Sequence, residues 1–429
     1  MIFIKSKANL GGGFNIMKIL ILSDSFLSDY TGGAEVIAFN LANGFQKLGN
    51  YVYVITTVRE KSKTGQYDYH GLKVFRIYAD YHERWRAYLS LYNPQTVNQI
   101  KKIIKQIKPD IVHVHNIHYY LSYHSLKIAK KYSRAVFLTA HDVMLFHYDK
   151  LIEFVNQNDL SIPKKFNYKI THWQQLERFR KRYNPFRNIV IRHYLKYVDK
   201  IFAVSQTLKD SLLQNNVKNV EVIYNGIDIA QWQINDEKLK NFKKKYNLFN
   251  KKIVFFAGRL SDLKGRKKIL KAMKIVKKQI PDILLLVAGE KDSYTETMIE
   301  LVKNENFPIL FTGWIEGDDL KNAYHSSDIV VTPSICLDSF NLINIEGMIC
   351  KKPVVGTCFG GTSEIVIDNK TGYIVNPLDV QTMAEKIIDL LKNSQKAIQF
   401  GQAGYERVKK HFSFEKQIQE TLKWYKKYI

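Results

Sequence analysis

KILILSDSFLSDYTGGAEVIAFNLANGFQKLGNYVYVITT, residues 18–57, decides the fold. KILIL (18–22) is a short apolar run of strand length. After a polar loop, Val36, Ile37, Leu41, Phe45 and Leu48 recur at helical spacing, and Gly49 closes the helix. YVYVITT (51–57) is the next strand. Strand, helix and strand in this order form the repeating unit of a parallel sheet with helical crossovers. Outward from here the alternation continues. The basic segment TVNQIKKIIKQIKP ends at Pro109, and DIVHVHN (110–116), AVFLTAH (135–141) and KIFAVS (200–205) follow as strands. It restarts after a Lys-rich connection (231–251), with KIVFFAG (252–258), DILLLVAG (282–289), ILFTGW (309–314), DIVVTPS (328–334) and PVVGT (353–357). The expected fold class is therefore α/β with two units in tandem. No short period recurs, which excludes a solenoid.

Composition agrees with two cores. The chain has 429 residues, 45% hydrophobic and 13% aromatic, which excludes a disordered chain. Cys336, Cys350 and Cys358 lack paired metal spacing and cannot all pair, pointing to a reducing cytosol. No apolar run approaches membrane-spanning length. Residues 1–16 read as a leader without a signal-peptide core, and Met17 as the start of the folded part. The net charge of +25 calls for an anionic partner or surface: nucleic acid, phosphate-bearing small molecules or acidic lipid. No nucleic-acid-binding motif is present, so nucleic acid is not an expected partner. Residues 145–200 interrupt the alternation. Between 159 and 200 there are 11 Lys or Arg against 3 Asp or Glu, interleaved with Trp173, Phe179, Tyr183, Phe186, Tyr194 and Tyr197. Two readings stand: a helical insertion whose apolar side meets membrane or an acceptor, or a solvated hairpin packed on the first unit.

The chemistry-bearing residues cluster at strand ends, where ligands dock in open α/β sheets. GRLSDLKG runs from Gly258 to Gly265, directly after KIVFFA. Arg259 and Lys264 are two cations suited to a diphosphate whose charge rises as its bond to a sugar breaks. A solvated basic loop is the plain alternative. PSICLDSFNLINIEGM (333–348) offers Asp338, then Ser339, Phe340, Asn341 and Leu342 where a helix should begin, with free N–H groups for an anion. Glu346 follows about two turns later, roughly on the side of Asp338. Two such carboxylates suit the hydroxyls of a sugar and a ribose, although Asp338 alone could be an N-cap and Glu346 a surface acid. Gly360 and Gly361 in GTCFGGTSEIV (356–366) allow close backbone approach to a ligand or form a tight turn. In the first half, Gly32 and Gly33 precede a helix as half a phosphate loop, and His141-Asp142 ends a strand. His113 and His115 share a strand face, but no neighbouring acid or thiol completes a ligand set, so no metal site is expected.

The ordered set GGAE, DIVHVHN, HD, VSQTLKDSLL, VIYNGID, GRLSDLKG, LLLVAGE, PS…DSF…IEGM and GGTSEIV resembles glycosyltransferase family 4, from Met17 to Ile429. The resemblance implies the GT-B fold, two facing Rossmann-like domains. These are an acceptor-side domain over 17–230 carrying the insertion at about 145–200, a nucleotide-sugar domain over 231–412, and a final helix (413–429) crossing back. It implies a retaining transferase using a UDP- or GDP-sugar, without metal or other cofactor, on a glycan or lipid-linked acceptor hydroxyl in surface-polysaccharide synthesis. The setting would be cytoplasmic, with an anionic inner membrane face as partner. By the same resemblance Arg259 and Lys264 hold the diphosphate, Glu346 the ribose, and Asp338 and His141 the donor sugar, with Gly33 at the diphosphate and acceptor side. Two residues depart from the family pattern: Asp338 stands for a glutamate and Asn341 for a glycine. A degenerate nucleotide-sugar-binding protein and a GT-B epimerase or phosphorylase are the alternatives.

Overall fold

The computed structural model describes residues 16–26, 32–163, 165–258, 261–289 and 308–429. Eight strands form the first sheet: β1 (Lys18–Leu22), β2 (Tyr51–Val58), β3 (Gly65–Tyr69), β4 (Leu72–Tyr78), β5 (Ile111–Val114), β6 (Ala135–Ala140), β7 (Lys200–Ala203) and β8 (Val220–Val222). Their order is 3-4-2-1-5-6-7-8, and every pairing is parallel except β3 with β4. Six strands form the second: β9 (Lys252–Ala257), β10 (Ile283–Ala288), β11 (Ile309–Gly313), β12 (Ile329–Thr332), β13 (Val354–Thr357) and β14 (Gly372–Val375). They are ordered 11-10-9-12-13-14 and all run parallel. The expected α/β class with two parallel, Rossmann-like sheets is what the chain forms.

Alternation within single strands separates the core layers. Ile19 and Ile21 of β1 join Ile37, Leu41 and Phe45 of the opening helix Gly33–Lys47 on one face. Leu20 and Leu22 face the other way, with Ile100, Ile104, Val112 and Val114. That second cluster continues into Phe255, Leu286 and Val330 of the second sheet, so the two halves share one apolar seam. Fully burying each such side chain contributes roughly 1.5–3 kcal/mol. Leu48, placed on the helical stripe by its spacing, lies past the helix end and is exposed.

The chain passes between the halves twice. It leaves after β8 and returns through Phe412–Phe414, where Ile227 N–H donates to Phe412 O (2.9 Å) and Phe414 N–H to Ile227 O (3.1 Å). A Cβ on Gly226 would sit 2.6 Å from the Ser413 carbonyl oxygen, so only glycine permits this approach. Ser413 caps the final helix, Phe414–Tyr425, which buries Ile418, Leu422 and Tyr425 in the first half's cluster.

The insertion matches the packed-hairpin reading only in its later part, where two short helices lie against the first half through Asn184 Nδ2 on Ala87 O (3.2 Å) and Asn188 Nδ2 on Phe146 O (2.6 Å). Among the described residues, α-helices form only at His172–Phe179 and Arg187–Leu195, with a 3-10 turn at Arg180–Arg182 between them. The described residues from Tyr148 to Ile170 form no helix, and this stretch reaches the second half. Leu337 N–H donates to Leu151 O (2.9 Å), Asn376 Nδ2 donates to Asp159 O and Ser161 O, and the Phe154 and Phe166 rings pack on Phe359. Phe154 and Phe166 are therefore interface residues rather than a solvated face, whereas Trp173 and Phe186 are exposed.

Candidate functional site

The carboxyl ends of the two sheets face each other. A Cβ on Gly33 would meet Leu342 Cδ1 at 3.2 Å, so the opening helix of the first half and the Leu342–Ile349 helix of the second begin against one another. Gly32 gives the first helix no side-chain cap, leaving its leading N–H groups to other partners. Both helix dipoles turn their positive ends toward this meeting point.

Lys264 stands beside them. Its Nζ lies 2.6 Å from Asp338 Oδ2, an oxygen that also accepts from Ser334 Oγ (3.0 Å) and Asn341 Nδ2 (3.1 Å). Burial acts to raise the Asp338 carboxyl, but the ammonium groups of Lys264 and Lys150 and these hydrogen bonds hold it below the usual range. Asn341 does two jobs: its Oδ1 accepts from Ile343 N–H (3.2 Å) as the helix cap, while its amide steadies Asp338. The two departures from the family pattern are thus neighbours that hydrogen-bond each other. The loop carrying Lys264 is fixed at Gly265, whose φ of +82° and approach to the Pro333 carbonyl leave no room for a Cβ. Gly258, at φ +100°, ends β9 with its N–H on Ala288 O (2.7 Å). Arg259, adjacent to it, lies outside the described residues.

Glu346 is not a companion of Asp338. It accepts a hydrogen bond from the buried Tyr324 hydroxyl, and burial lifts its carboxyl above the usual range despite that bond. Phe340 turns its ring into an aromatic cluster with Tyr224 and Phe412, so its side chain packs the interface; Ser339 is buried beside it. Gly360 and Gly361 likewise leave no space for a ligand: added Cβ atoms would strike Asp338 O at 2.2 Å and Ser339 O at 2.3 Å. The tight-turn alternative holds there, and the glycines buttress the Asp338 loop.

On the first half, His141 closes β6. Its Nε2 lies 2.9 Å from His115 Nδ1; the His115 ring stacks on His113, which hydrogen-bonds Thr139 Oγ1 (2.7 Å) and the Tyr425 hydroxyl (2.6 Å). This column links the site to the final helix. Burial keeps these histidines neutral, pushing His113 down to about 3 and His141 to about 4. His118, also pushed down to about 4 by burial, sits 3.9 Å from Asp142. Among the described residues, no group of three His, Cys, Asp or Glu is arranged to hold a metal.

Two residues escaped the sequence reading. Lys150 bears electrostatically on Asp142 and His118 from one half and on Asp338 and Cys336 from the other, and it makes no ion pair with a described residue. Its only sequence signal is its place in the basic insertion, shortly after His141. Glu364 accepts from Gln206 N–H (2.7 Å) and Thr207 N–H (2.8 Å), the first amides of the Gln206–Gln214 helix in the other half, and from the Tyr224 hydroxyl (3.1 Å). It clasps the halves together through a helix N-terminus.

A family model described as Glycosyltransferase Family 4 matches residues 31–231, and one described as Glycosyl transferases group 1 matches 238–407. The chain belongs to glycosyltransferase family 4. Among similar proteins, the one described as putative glycosyltransferase YtcC, of Bacillus subtilis, is 28% identical over 46% of this chain and 52% of its own length, so the match spans about half of that relative. An uncharacterised glycosyltransferase of Methanocaldococcus jannaschii is 24% identical over 86% of this chain and 87% of its own. Among solved structures, sucrose-phosphate synthase from Thermosynechococcus elongatus superimposes with a TM-score of 0.74 at 19% identity, covering 95% of this chain and 98% of that one. Anabaena HepE in complex with UDP-glucose gives 0.69 at 17%, with the same coverage. At these identities the likeness establishes the fold, the GT-B arrangement of two facing Rossmann-like domains. No described helix is long and apolar enough to cross a membrane.

Proposed function

We propose that this family 4 member is a retaining glycosyltransferase that moves a sugar from a UDP- or GDP-sugar to an acceptor hydroxyl on a glycan or lipid-linked glycan. The observation that carries the reading is the convergence of Lys264, the Asp338 loop and two facing helix N-termini on one point. Donor cleavage leaves a diphosphate whose negative charge grows in the transition state. Lys264 and Arg259, with the N–H groups at Ser339–Leu342 and at Gly32–Gly33, stabilise that charge without a metal ion. Glu346, whose carboxyl accepts from the Tyr324 hydroxyl, takes the ribose hydroxyls. His141 and Asp338 meet the donor sugar. The departing phosphate oxygen takes the acceptor proton on the same face, which retains the anomeric configuration.

The ion pair of Lys264 with Asp338 favours one rival, a protein that binds nucleotide-sugars without transferring them, because the cation already has an anion beside it. Nucleotide release from a panel of UDP-, GDP- and ADP-sugars separates the two. Transfer predicts release from one donor and a loss of roughly a hundredfold in Lys264→Ala, as for removal of one charge-stabilising group. Binding of UDP or GDP with no release in the presence of any acceptor refutes it. We further place the enzyme in the cytoplasm, resting on an anionic membrane through its net charge of +25 and the exposed Trp173 and Phe186 of the basic insertion. Failure to sediment with anionic vesicles at low salt removes that placement.

A further inference from the structure

A second cavity lies away from the donor site. It has a volume of about 250 Å³ and sits between the two insertion helices and the far end of the Gln206–Gln214 helix. That helix begins at the Glu364 clasp and spans nine residues, so roughly 13 Å separates the cavity from the interface.

The chemistry of its wall is one-sided. No Asp or Glu lines it, whereas Lys169 and Arg192 do, and neither makes an ion pair with a described residue. Most wall amides are already satisfied within the protein. Asn188 accepts from Arg187 Nη1 and donates to Phe146 O (2.6 Å), and Asn215 binds the backbone of Tyr168, Ile170 and Ser211. The wall is therefore preformed. Gln175 is the exception: it is 2% exposed, and its buried carboxamide oxygen has no hydrogen-bond partner among the described residues. A buried polar group of this kind asks for a ligand that completes it. A hydroxyl, which both donates and accepts, satisfies the carboxamide whichever way it is turned. Two cations with no counter-ion among the described residues ask for an anion.

We propose that this cavity is a binding site for a small hydroxyl-bearing phosphate ester, its phosphate between Lys169 and Arg192 and a hydroxyl on Gln175. Phe146 and Ile189 supply the apolar sides against which a carbon skeleton lies. The volume admits a ligand of monosaccharide-phosphate size, smaller than the usual drug-sized occupant. The same chemistry occurs in a free sugar phosphate and in a phosphoglycerol lipid headgroup.

Calorimetric titration of the full chain with glucose 6-phosphate and with sn-glycerol 3-phosphate, and flotation with phosphatidylglycerol vesicles, distinguish the two sources. Arg192→Gln and Lys169→Gln are each at accessible positions and should fold normally. The expected result is binding in at least one arm, weakened tenfold or more by each substitution and unchanged in Lys264→Ala. Binding that disappears in Lys264→Ala but survives both cavity substitutions places the ester in the donor site and overturns the proposal. Absence of binding in all arms does the same.

Discussion

Replacing Lys264 by methionine keeps most of the length of the side chain and removes its charge, which separates the two things this residue does. In the structure its ammonium lies 2.6 Å from Asp338 Oδ2. Removing one partner of a buried pair costs about 3–5 kcal/mol because the other charge is stranded. Here the lysine side chain is 30% exposed, and Asp338 keeps its bonds from Ser334 and Asn341, so solvent and those donors cut the cost to about 2 kcal/mol. For a unit of 150–250 residues that lowers the melting temperature by about 4–8 °C. Adding Asp338→Asn removes the stranded charge while an amide oxygen still accepts from Ser334 and Asn341. Stability should then return to within about 1 kcal/mol of the parent, a coupling typical of contacting residues. Turnover should not return: without the cation the diphosphate loses a stabilising partner, and release should stay about a hundredfold down in the double variant. Thermal unfolding and nucleotide release, measured on the parent, both single variants and the double, test this. Recovery of release to within threefold of the parent in the double variant refutes the reasoning, since Lys264 would then serve only to neutralise Asp338.

Gly265→Ala should destabilise by at least about 2 kcal/mol in urea unfolding, because φ is +82° and the new methyl would lie 2.0 Å from the Pro333 carbonyl oxygen; a loss under 0.5 kcal/mol by the same urea measure would contradict that geometry. Acidification should cost stability through His113 and His115, whose folded pKa values lie below the ordinary 6.5, so the unfolded chain binds protons first as pH falls through 6.5. At pH 5 that is about 2 kcal/mol for His113, from 1.5 units at 1.36 kcal/mol. Asp24, lifted to about 7 by burial against the pull of the Leu121, Tyr119 and Tyr120 amides, works in the opposite direction over the same window. The difference between parent and His113→Gln isolates that histidine: the variant should lose about 2 kcal/mol less between pH 7 and pH 5, and parallel pH profiles would contradict this. Glu364→Gln weakens two charge-assisted bonds to a helix N-terminus, so hydrogen exchange at the Gln206 and Thr207 amides should accelerate about tenfold; unchanged protection would remove the clasp.

Strands rich in apolar and β-branched residues were legible, since KILIL, KIVFFA and ILLLVA can only be buried on both faces. Of the strands that the reading missed, β4, LKVFRIY, alternates over seven residues, while the others carry weaker signals. β3, GQYDY, is exposed and polar, and its hairpin with β4 turns at His70-Gly71, both at positive φ, a turn usually written with asparagine rather than histidine. β8 and β14 have three and four residues, too few for a period to show. In the site, Lys264, Asp338 and Asn341 were legible because they sit within motifs at strand ends. The seven-residue interval between Asp338 and Glu346 misled, because the helix starts only at Leu342 and the two carboxylates take different partners. Lys150 and Glu364 could not be read locally: Glu364 meets amides 157 and 158 positions away, and Lys150 matters only where the halves close on each other. The glycines at 360 and 361 mark a close approach, as their type suggested, but the approaching group is the Asp338–Ser339 backbone.

The paired chain crossings at Gly226–Ile227 and Phe412–Phe414 limit how the enzyme can breathe. A single tether would let one half swivel and slide over the other. Two strands of chain, side by side and hydrogen-bonded to each other, behave instead like the two knuckles of a door hinge. They leave rotation about the line through the crossings as the soft motion and stiffen shear and twist. Lys264 and His141 then separate and return along one arc, so each closure brings the same atoms back into register. A cut anywhere in Phe414–Tyr425 would take a packed layer from the first half and loosen one knuckle of the hinge, although in sequence those residues directly follow the second half.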